Sequence, residues 1–213
     1  MQSASEKLFS RAAFLASAGA PSEFPADGMP EVAFLGRSNV GKSSAINALA
    51  GRRRLAFASK APGRTQTINF YDLGDTARLV DLPGYGYARV AKSLRGGWDR
   101  LISEYFAARS SLVGVVVLMD ARHPLTAADQ RLIDWLQPFE FRKIALLTKS
   151  DKLSRAEATA AHNSALEKLK GVCKEVLLFS STSRAGVEQV RELLWKWIAT
   201  ASDAAAGNKR PPA

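Results

Sequence analysis

From Glu31 onward, short apolar runs alternate with stretches of helical periodicity. Val32-Ala33-Phe34-Leu35 reads as a buried strand, and a glycine loop separates it from a helix over about Lys42 to Ala50. Thr67 to Leu73 and Ala77 to Asp81 predict two strands joined through Gly74-Asp75, a hairpin signal. Leu94, Trp98, Leu101, Ile102, Tyr105 and Phe106 share the spacing of one helical face within Leu94 to Ala108. Val113 to Met119 is nearly continuous and rich in β-branched residues, as a strand buried on both sides should be. A helix over Thr126–Leu136, a strand over Lys143–Thr148, a helix over Ser154–Leu169, a strand over Glu175–Phe179 and a helix over Val187–Ala199 complete the series. In that last helix, Trp195 and Trp197 fall on different sides, so one should be core and the other partly exposed.

Such alternation predicts an α/β fold, a mostly parallel sheet covered by helices on both faces and made mixed by its hairpin. Residues 31–200 form the expected domain. Residues 1–30 read as an N-terminal helical extension and a proline-rich linker (Pro21 to Pro30), and residues 201–213 as a disordered basic tail. Lys7 and Arg11 precede the short apolar run Ala12 to Ala16, and Glu6 dilutes the positive start. An amphipathic leading helix of a cytoplasmic protein fits this better than a signal peptide. The longest apolar run, Leu112 to Met119, is far too short to span a bilayer.

Charge changes the picture further. Thirty Lys and Arg against twenty Asp and Glu give a net charge of +10 in 213 residues. A polyanionic partner, nucleic acid before membrane, is one explanation, and a merely basic soluble surface is the other. One cysteine excludes an internal disulfide, and two histidines far apart make a zinc site a poor expectation.

The strongest chemical signal is Gly36-Arg37-Ser38-Asn39-Val40-Gly41-Lys42-Ser43, which fits G-x-x-x-x-G-K-[ST] between a predicted strand and a predicted helix. Its glycines let successive N–H groups turn toward phosphate oxygens, and the helix that follows aims its positive end at the same anion. Lys42 can reach β- and γ-phosphates, and the Ser43 hydroxyl can ligate Mg²⁺. Asp81-Leu82-Pro83-Gly84 ends a second strand, where a carboxylate can hold Mg²⁺ through water and a glycine N–H can approach a γ-phosphate. Taken alone, this tetrapeptide is equally a turn. Thr148-Lys149-Ser150-Asp151 follows a third strand, and its carboxylate can accept from N1–H and the exocyclic amine of guanine. Adenine lacks that donor pair and would leave a buried charge unpaired. The Lys149 stem can lie along the base while its charge stays hydrated. A plain helix cap is compatible with both readings. Phe179-Ser180-Ser181 offers backbone N–H groups for the guanine O6.

In this order and spacing, the elements resemble a translation-factor-class small GTPase. Gly63-Arg64-Thr65-Gln66-Thr67 lies where such proteins place a switch threonine over Mg²⁺ and γ-phosphate, and both threonines qualify by alternation. Gly63 to Tyr71, Asp81 to Ala88, and Asp120-Ala121-Arg122-His123 with Asp129 and Trp135-Leu136 narrow the match to the EngB/YihA/YsxC family of bacterial GTP-binding proteins. Similarity runs from about Phe9 to Trp197. It implies a Ras-like P-loop GTPase with a three-layer α/β/α architecture and a six-stranded mixed sheet. It also implies bound GTP or GDP with Mg²⁺ held by Ser43 and Thr65, the latter preferred over Thr67. A role in large ribosomal subunit assembly, normal cell division and septation follows from the same resemblance, with the large subunit or its ribosomal RNA as partner; a monomer is expected because nothing in the sequence demands an oligomer.

Two departures from the general GTPase pattern matter. Thr148 stands where asparagine is commonest, as in this family, and its hydroxyl can still tie the base loop to the phosphate loop. Tyr85 stands where a Ras-type enzyme carries a water-orienting glutamine, so intrinsic hydrolysis should be slow and completed by a partner or ion. No catalytic base is evident. Asn39 matches the asparagine that binds potassium in some related GTPases, which makes potassium stimulation an expectation. Arg52-Arg53-Arg54 and Lys60 before the first switch, and Arg89, Lys92, Arg95 and Arg100 after the second, offer contacts to RNA phosphates. A nucleotide-sensing module without turnover is the alternative of a different class, and an ATP-dependent kinase or ATPase is disfavoured by Asp151.

Overall fold

A computed structural model describes residues 2–57, 67–85 and 92–207. After helix α1 (Ala4–Ser10) come strands β1 (Ala13–Ala18) and β2 (Glu31–Gly36), helix α2 (Lys42–Ala50), and strands β3 (Ile68–Asp72) and β4 (Arg78–Asp81). The chain continues through α3 (Lys92–Ala108), β5 (Leu112–Asp120), α4 (Ala127–Leu136), β6 (Arg142–Thr148), α5 (Arg155–Lys168), β7 (Glu175–Leu178) and α6 (Val187–Gly207). Together the strands form one sheet in the order β1-β3-β4-β2-β5-β6-β7. The pairs β1/β3 and β3/β4 are antiparallel and all others parallel. This is the Ras-like P-loop GTPase fold, three layers deep.

Period-two alternation in the central strands builds both faces at once. Val116 and Leu118 of β5 face one side, where Phe9 of α1, Ile46 and Leu49 of α2, and Val190, Leu194 and Trp197 of α6 cover them. On the other side Val115, Val117 and Met119 meet Ile102, Tyr105 and Phe106 of α3, Ile133 and Leu136 of α4, and Ala165 of α5. Trp197 is buried and Trp195 half-buried, as their spacing predicts.

Four local expectations need correction. The sheet has seven strands rather than six, because the expected leading helix ends at Ser10 and the chain turns into edge strand β1. Phe14 and Leu15 stay exposed there, since pairing with β3 rather than burial holds the strand. The Pro21–Pro30 segment is tied down: Arg109 donates to the Pro25 carbonyl at 2.8 Å, and Arg78 to the Ala26 carbonyl at 2.6 Å. Finally, α6 continues to Gly207 through the alanine-rich stretch that reads as tail, because alanine is the best helix former.

Candidate functional site

Parallel register brings the carboxyl ends of β2, β4, β5 and β6 to one edge, with Phe34 beside Asp81 and Asp120 beside Thr148. Open α/β sheets bind ligands at this edge. Here the loop from Gly36 to Ser43 joins β2 to α2. Asn39 and Gly41 both have positive φ (63° and 104°), which curls the loop, and the N-cap of α2 is Gly41, which has no side chain to occupy the first N–H groups. Backbone N–H groups and the helix dipole therefore serve an anion at this point. Lys42 forms an ion pair with the buried carboxylate of Asp81 at the end of β4.

Ser43, the second residue of α2, is half-buried beside that pair in sequence. A hydroxyl and a carboxylate brought to one helix start are the hard oxygen donors that suit Mg²⁺ when phosphate oxygens and water complete its shell. Thr65, expected as the other protein ligand, lies outside the described residues, as do Gly63, Arg64 and Gln66. Thr67 is half-buried and immediately precedes β3, at the edge where Asn69 pairs with Asp81.

Leu82, Pro83, Gly84 and Tyr85 extend the contact between β4 and the phosphate loop. The Leu82 N–H donates to Phe34 at 3.1 Å, the Tyr85 N–H to Gly36 at 3.4 Å, and the Ser38 N–H to Tyr85 at 3.1 Å. Gly84 lets the segment approach the phosphate loop closely: a Cβ there would lie 3.0–3.2 Å from Ser38 Oγ, N and Cα.

Beyond β6, the buried Thr148 hydroxyl faces two carbonyls, Val40 at 2.7 Å and Met119 at 3.0 Å, and donates its single proton between them. That contact joins the base loop to the phosphate loop. Lys149, held at φ 60°, donates from Nζ to the Asn39 carbonyl (2.8 Å) and to Asp120 (2.9 Å). Its ammonium is thus anchored by protein groups, where the sequence suggests only hydration. Ser150 N–H bonds to Phe179 and starts a short 3₁₀ turn that presents Asp151. Asp151 accepts from the buried Ser180 hydroxyl at 2.6 Å, and that bond holds its carboxyl below the usual aspartate range.

Of the three N–H groups expected near O6, Phe179 donates to Leu147 and Ser180 to Ala185. Those two are spent on the fold, so Ser181 alone of the trio can serve that role.

Asp120 and Asp129 gain roles that the spacing did not assign. Asp120 receives Arg122 at 2.9 and 2.7 Å as well as Lys149, and the hydrogen bonds from Arg122, helped by Lys149, keep its carboxyl well below the aspartate range despite burial. Asp129 lies 3.2 Å from the Arg37 Nε and accepts the Tyr85 phenol at 2.8 Å. Burial, followed by the charge and hydrogen bond of Asp129, pushes that phenol far above its ordinary value. One signal was available in sequence: Asp120, like Asp81, is a carboxylate at the end of an apolar strand.

Comparison with known proteins agrees with this geometry. The family described as 50S ribosome-binding GTPase matches residues 31–149. A probable GTP-binding protein EngB of Azoarcus sp. (strain BH72) is 50% identical over 198 residues, covering 92% of this chain and 95% of that one. The crystal structure of a probable GTP-binding protein engB is similar with a TM-score of 0.65 at 21% identity, over 80% of this chain and 99% of that one. Era in complex with MgGDPNP and nucleotides 1506–1542 of 16S ribosomal RNA is similar with a TM-score of 0.61 at 19% identity, over 81% of this chain and 57% of that one. At such identities these two structures speak to the fold alone.

Proposed function

Because the chain belongs to the EngB family of GTP-binding proteins and is a P-loop GTPase, we propose that it works as a guanine-nucleotide switch in assembly of the large ribosomal subunit. The observation that carries the nucleotide reading is the hydroxyl of Thr148 on the Val40 carbonyl, with Lys149 on Asn39. These bonds fix the distance between an anion-binding loop and the Asp151 carboxylate, so one ligand must offer phosphates at one end and a donor pair at the other. Guanine nucleotides do, and ATP would leave Asp151 unpaired. Residues 36–43, 81–84, 148–151 and Ser181 form the proposed binding set, and Gly63 to Thr67 belong to it as the proposed switch residues. Mg²⁺, held by Ser43 and Thr65, supplies neutralisation of phosphate charge when bound.

Hydrolysis is proposed to be slow without a partner. The side chain after Gly84 is a phenol already given to Asp129, and it has no carboxamide to orient water. Asn39 leaves potassium within the proposal, read by single-turnover rates in K⁺ against Na⁺. For the partner, a +10 chain with exposed Arg52, Arg53 and Arg54 beyond the end of α2 suits ribosomal RNA. Normal cell division and septation belong to the same proposed role, and a cytoplasmic monomer fits this use. No helix among the described residues is long and apolar enough to cross a membrane.

The test is co-sedimentation with purified ribosomal subunits in a non-hydrolysable GTP analogue, GDP or no nucleotide, across a salt series. Large-subunit binding selective for the GTP analogue and surviving moderate salt is expected. Equal binding in every state, vanishing as salt rises, would reduce the ribosomal part to nonspecific charge.

A further inference from the structure

We infer that Asp129 latches the Gly84–Tyr85 segment onto the phosphate loop and thereby sets the preference of the site for nucleoside diphosphate over triphosphate. Asp129 lies 48 residues after Asp81 in sequence, on α4, and has no place in the binding set described above. Its carboxylate is fully buried. One oxygen does local work, accepting the Thr126 N–H at 2.9 Å and the Thr126 hydroxyl at 2.7 Å, a capping box at the start of α4. The other oxygen reaches across the fold. It takes the Tyr85 phenol at 2.8 Å and lies 3.2 Å from the Nε of Arg37, the second residue of the phosphate loop. A single buried charge thus holds the phosphate loop and the segment after β4 together through two side chains.

What that grip holds closed is visible in the backbone. Arg37 and Tyr85 form a parallel bridge, and the Ser38 N–H donates to Tyr85. Gly84 packs closely on Ser38: a Cβ there would lie 3.0–3.2 Å from Ser38 Oγ, N and Cα, tighter than ordinary side-chain contact. A γ-phosphate meeting the Gly84 N–H would have to stand between that residue and the loop that cradles it. In the closed arrangement that place is narrowed by the close packing of Gly84 on Ser38 and by the Ser38 N–H bond to Tyr85 at 3.1 Å. A diphosphate leaves the ladder intact, whereas a triphosphate must part Gly84 from Ser38 and pull Tyr85 away from Asp129. The phenol–carboxylate bond therefore stabilises only the diphosphate-compatible form, and a ligand shifts such an equilibrium only through differential affinity. A hydrogen bond to a carboxylate, present in one state and absent in the other, corresponds to about a tenfold change or more.

This inference rests on the guanine-nucleotide reading, and the experiment separates the two. Dissociation constants for GDP and for a non-hydrolysable GTP analogue are measured with Mg²⁺ on the full chain and on Tyr85→Phe, which keeps the ring and removes the hydroxyl. Thr126→Val serves as the comparison, since it weakens the α4 cap without touching the phenol. The expected result is that Tyr85→Phe moves the ratio of the two constants about tenfold toward the triphosphate, whereas Thr126→Val lowers the unfolding temperature and leaves the ratio in place. An unchanged ratio in Tyr85→Phe, or an equal shift in Thr126→Val, would overturn the latch while leaving the nucleotide site standing. Failure of the unaltered chain to bind either guanine nucleotide would overturn the site and the latch together.

Discussion

At the amino end of the sheet, Glu31 is fully buried and enclosed by Arg109, Arg78 and the Tyr105 phenol, which donates at 2.9 Å. At the carboxyl end, Lys42 meets Asp81, Lys149 meets Asp120, and Arg37 meets Asp129. Both ends bury charge, yet they differ in what could replace a partner. The arginines around Glu31 also donate to the carbonyls of Pro25 and Ala26, so the amino end clamps the segment before β2. Around the phosphate loop, by contrast, Lys42 and Arg37 are cations that phosphate oxygens or a switching segment can draw away, while Lys149 stays tied to Asn39 and Asp120. A buried ion pair thus says little about function until one asks whether its members are held by further bonds or can exchange partners.

The strongest way to break this contrast is to remove a charge from the closed end. Arg109→Met keeps an apolar stem and leaves Glu31 buried beside too little positive charge. The expected loss is about 3–5 kcal/mol of folding stability, since removal of one partner from a buried pair costs that much. Urea unfolding measures it, and GDP affinity of the protein that remains folded should stay within about twofold. A loss below about 1 kcal/mol would mean that the amino-end cluster is as replaceable as the other.

Asp151→Asn should do the reverse. Asp151 stands on a short turn at the surface, so unfolding should move little. Its carboxylate is the proposed acceptor for the guanine donors, and without it GDP affinity should fall by about a hundredfold or more, with ADP unaffected. Competition titration of GDP against ADP reads this directly. Retained preference for GDP would place base recognition elsewhere.

The legibility of these two ends in the sequence was unequal. The phosphate loop, the hairpin and the base loop are each written in contiguous residues: Gly36 to Ser43, Gly74-Asp75 between alternating strands, Thr148 to Asp151 after an apolar run. Local spacing carries them because their backbone geometry is local. β1 is different, because Ala13 to Ala18 has little strand character of its own and becomes a strand only where β3 offers an edge. Propensity at such a segment is overruled by tertiary pairing. Asp129 illustrates a second kind of silence. In sequence it is the third helical residue after the cap Thr126, closing a capping box, and that local task explains it completely. Its bond to Tyr85 spans 44 residues, and no pattern in either segment announces the other. Likewise Glu31 opens an apolar strand as an apparent boundary residue, and only the meeting of three elements shows why it is buried.

Acid offers the gentlest probe, and it should act on both ends alike. Burial of Asp27 at the amino end opposes its ionisation, but hydrogen bonds from Ser111 and Ser110, the Gly28 N–H and the charge of Arg109 together hold its carboxyl well below the ordinary 3.8. At the carboxyl end, Arg122 and Lys149 hold Asp120 below the same value. Each group has a lower pKa folded than unfolded, so the unfolded chain takes up protons first as pH falls. The stability they contribute is fully present above the ordinary aspartate value and drains away as pH drops through and below it. Thermal unfolding should therefore hold steady from neutral pH to about pH 5 as far as these groups decide it, then decline below about pH 4. Asp27→Asn and Asp120→Asn should each flatten that acid decline, one at each end of the sheet. GDP binding should persist over the same plateau, because the Ser180 bond keeps Asp151 ionised there. Flattening by Asp27→Asn alone would mean that the carboxyl-end pairs add nothing to folding, which would make the contrast sharper still: charge at one end for stability, at the other for exchange.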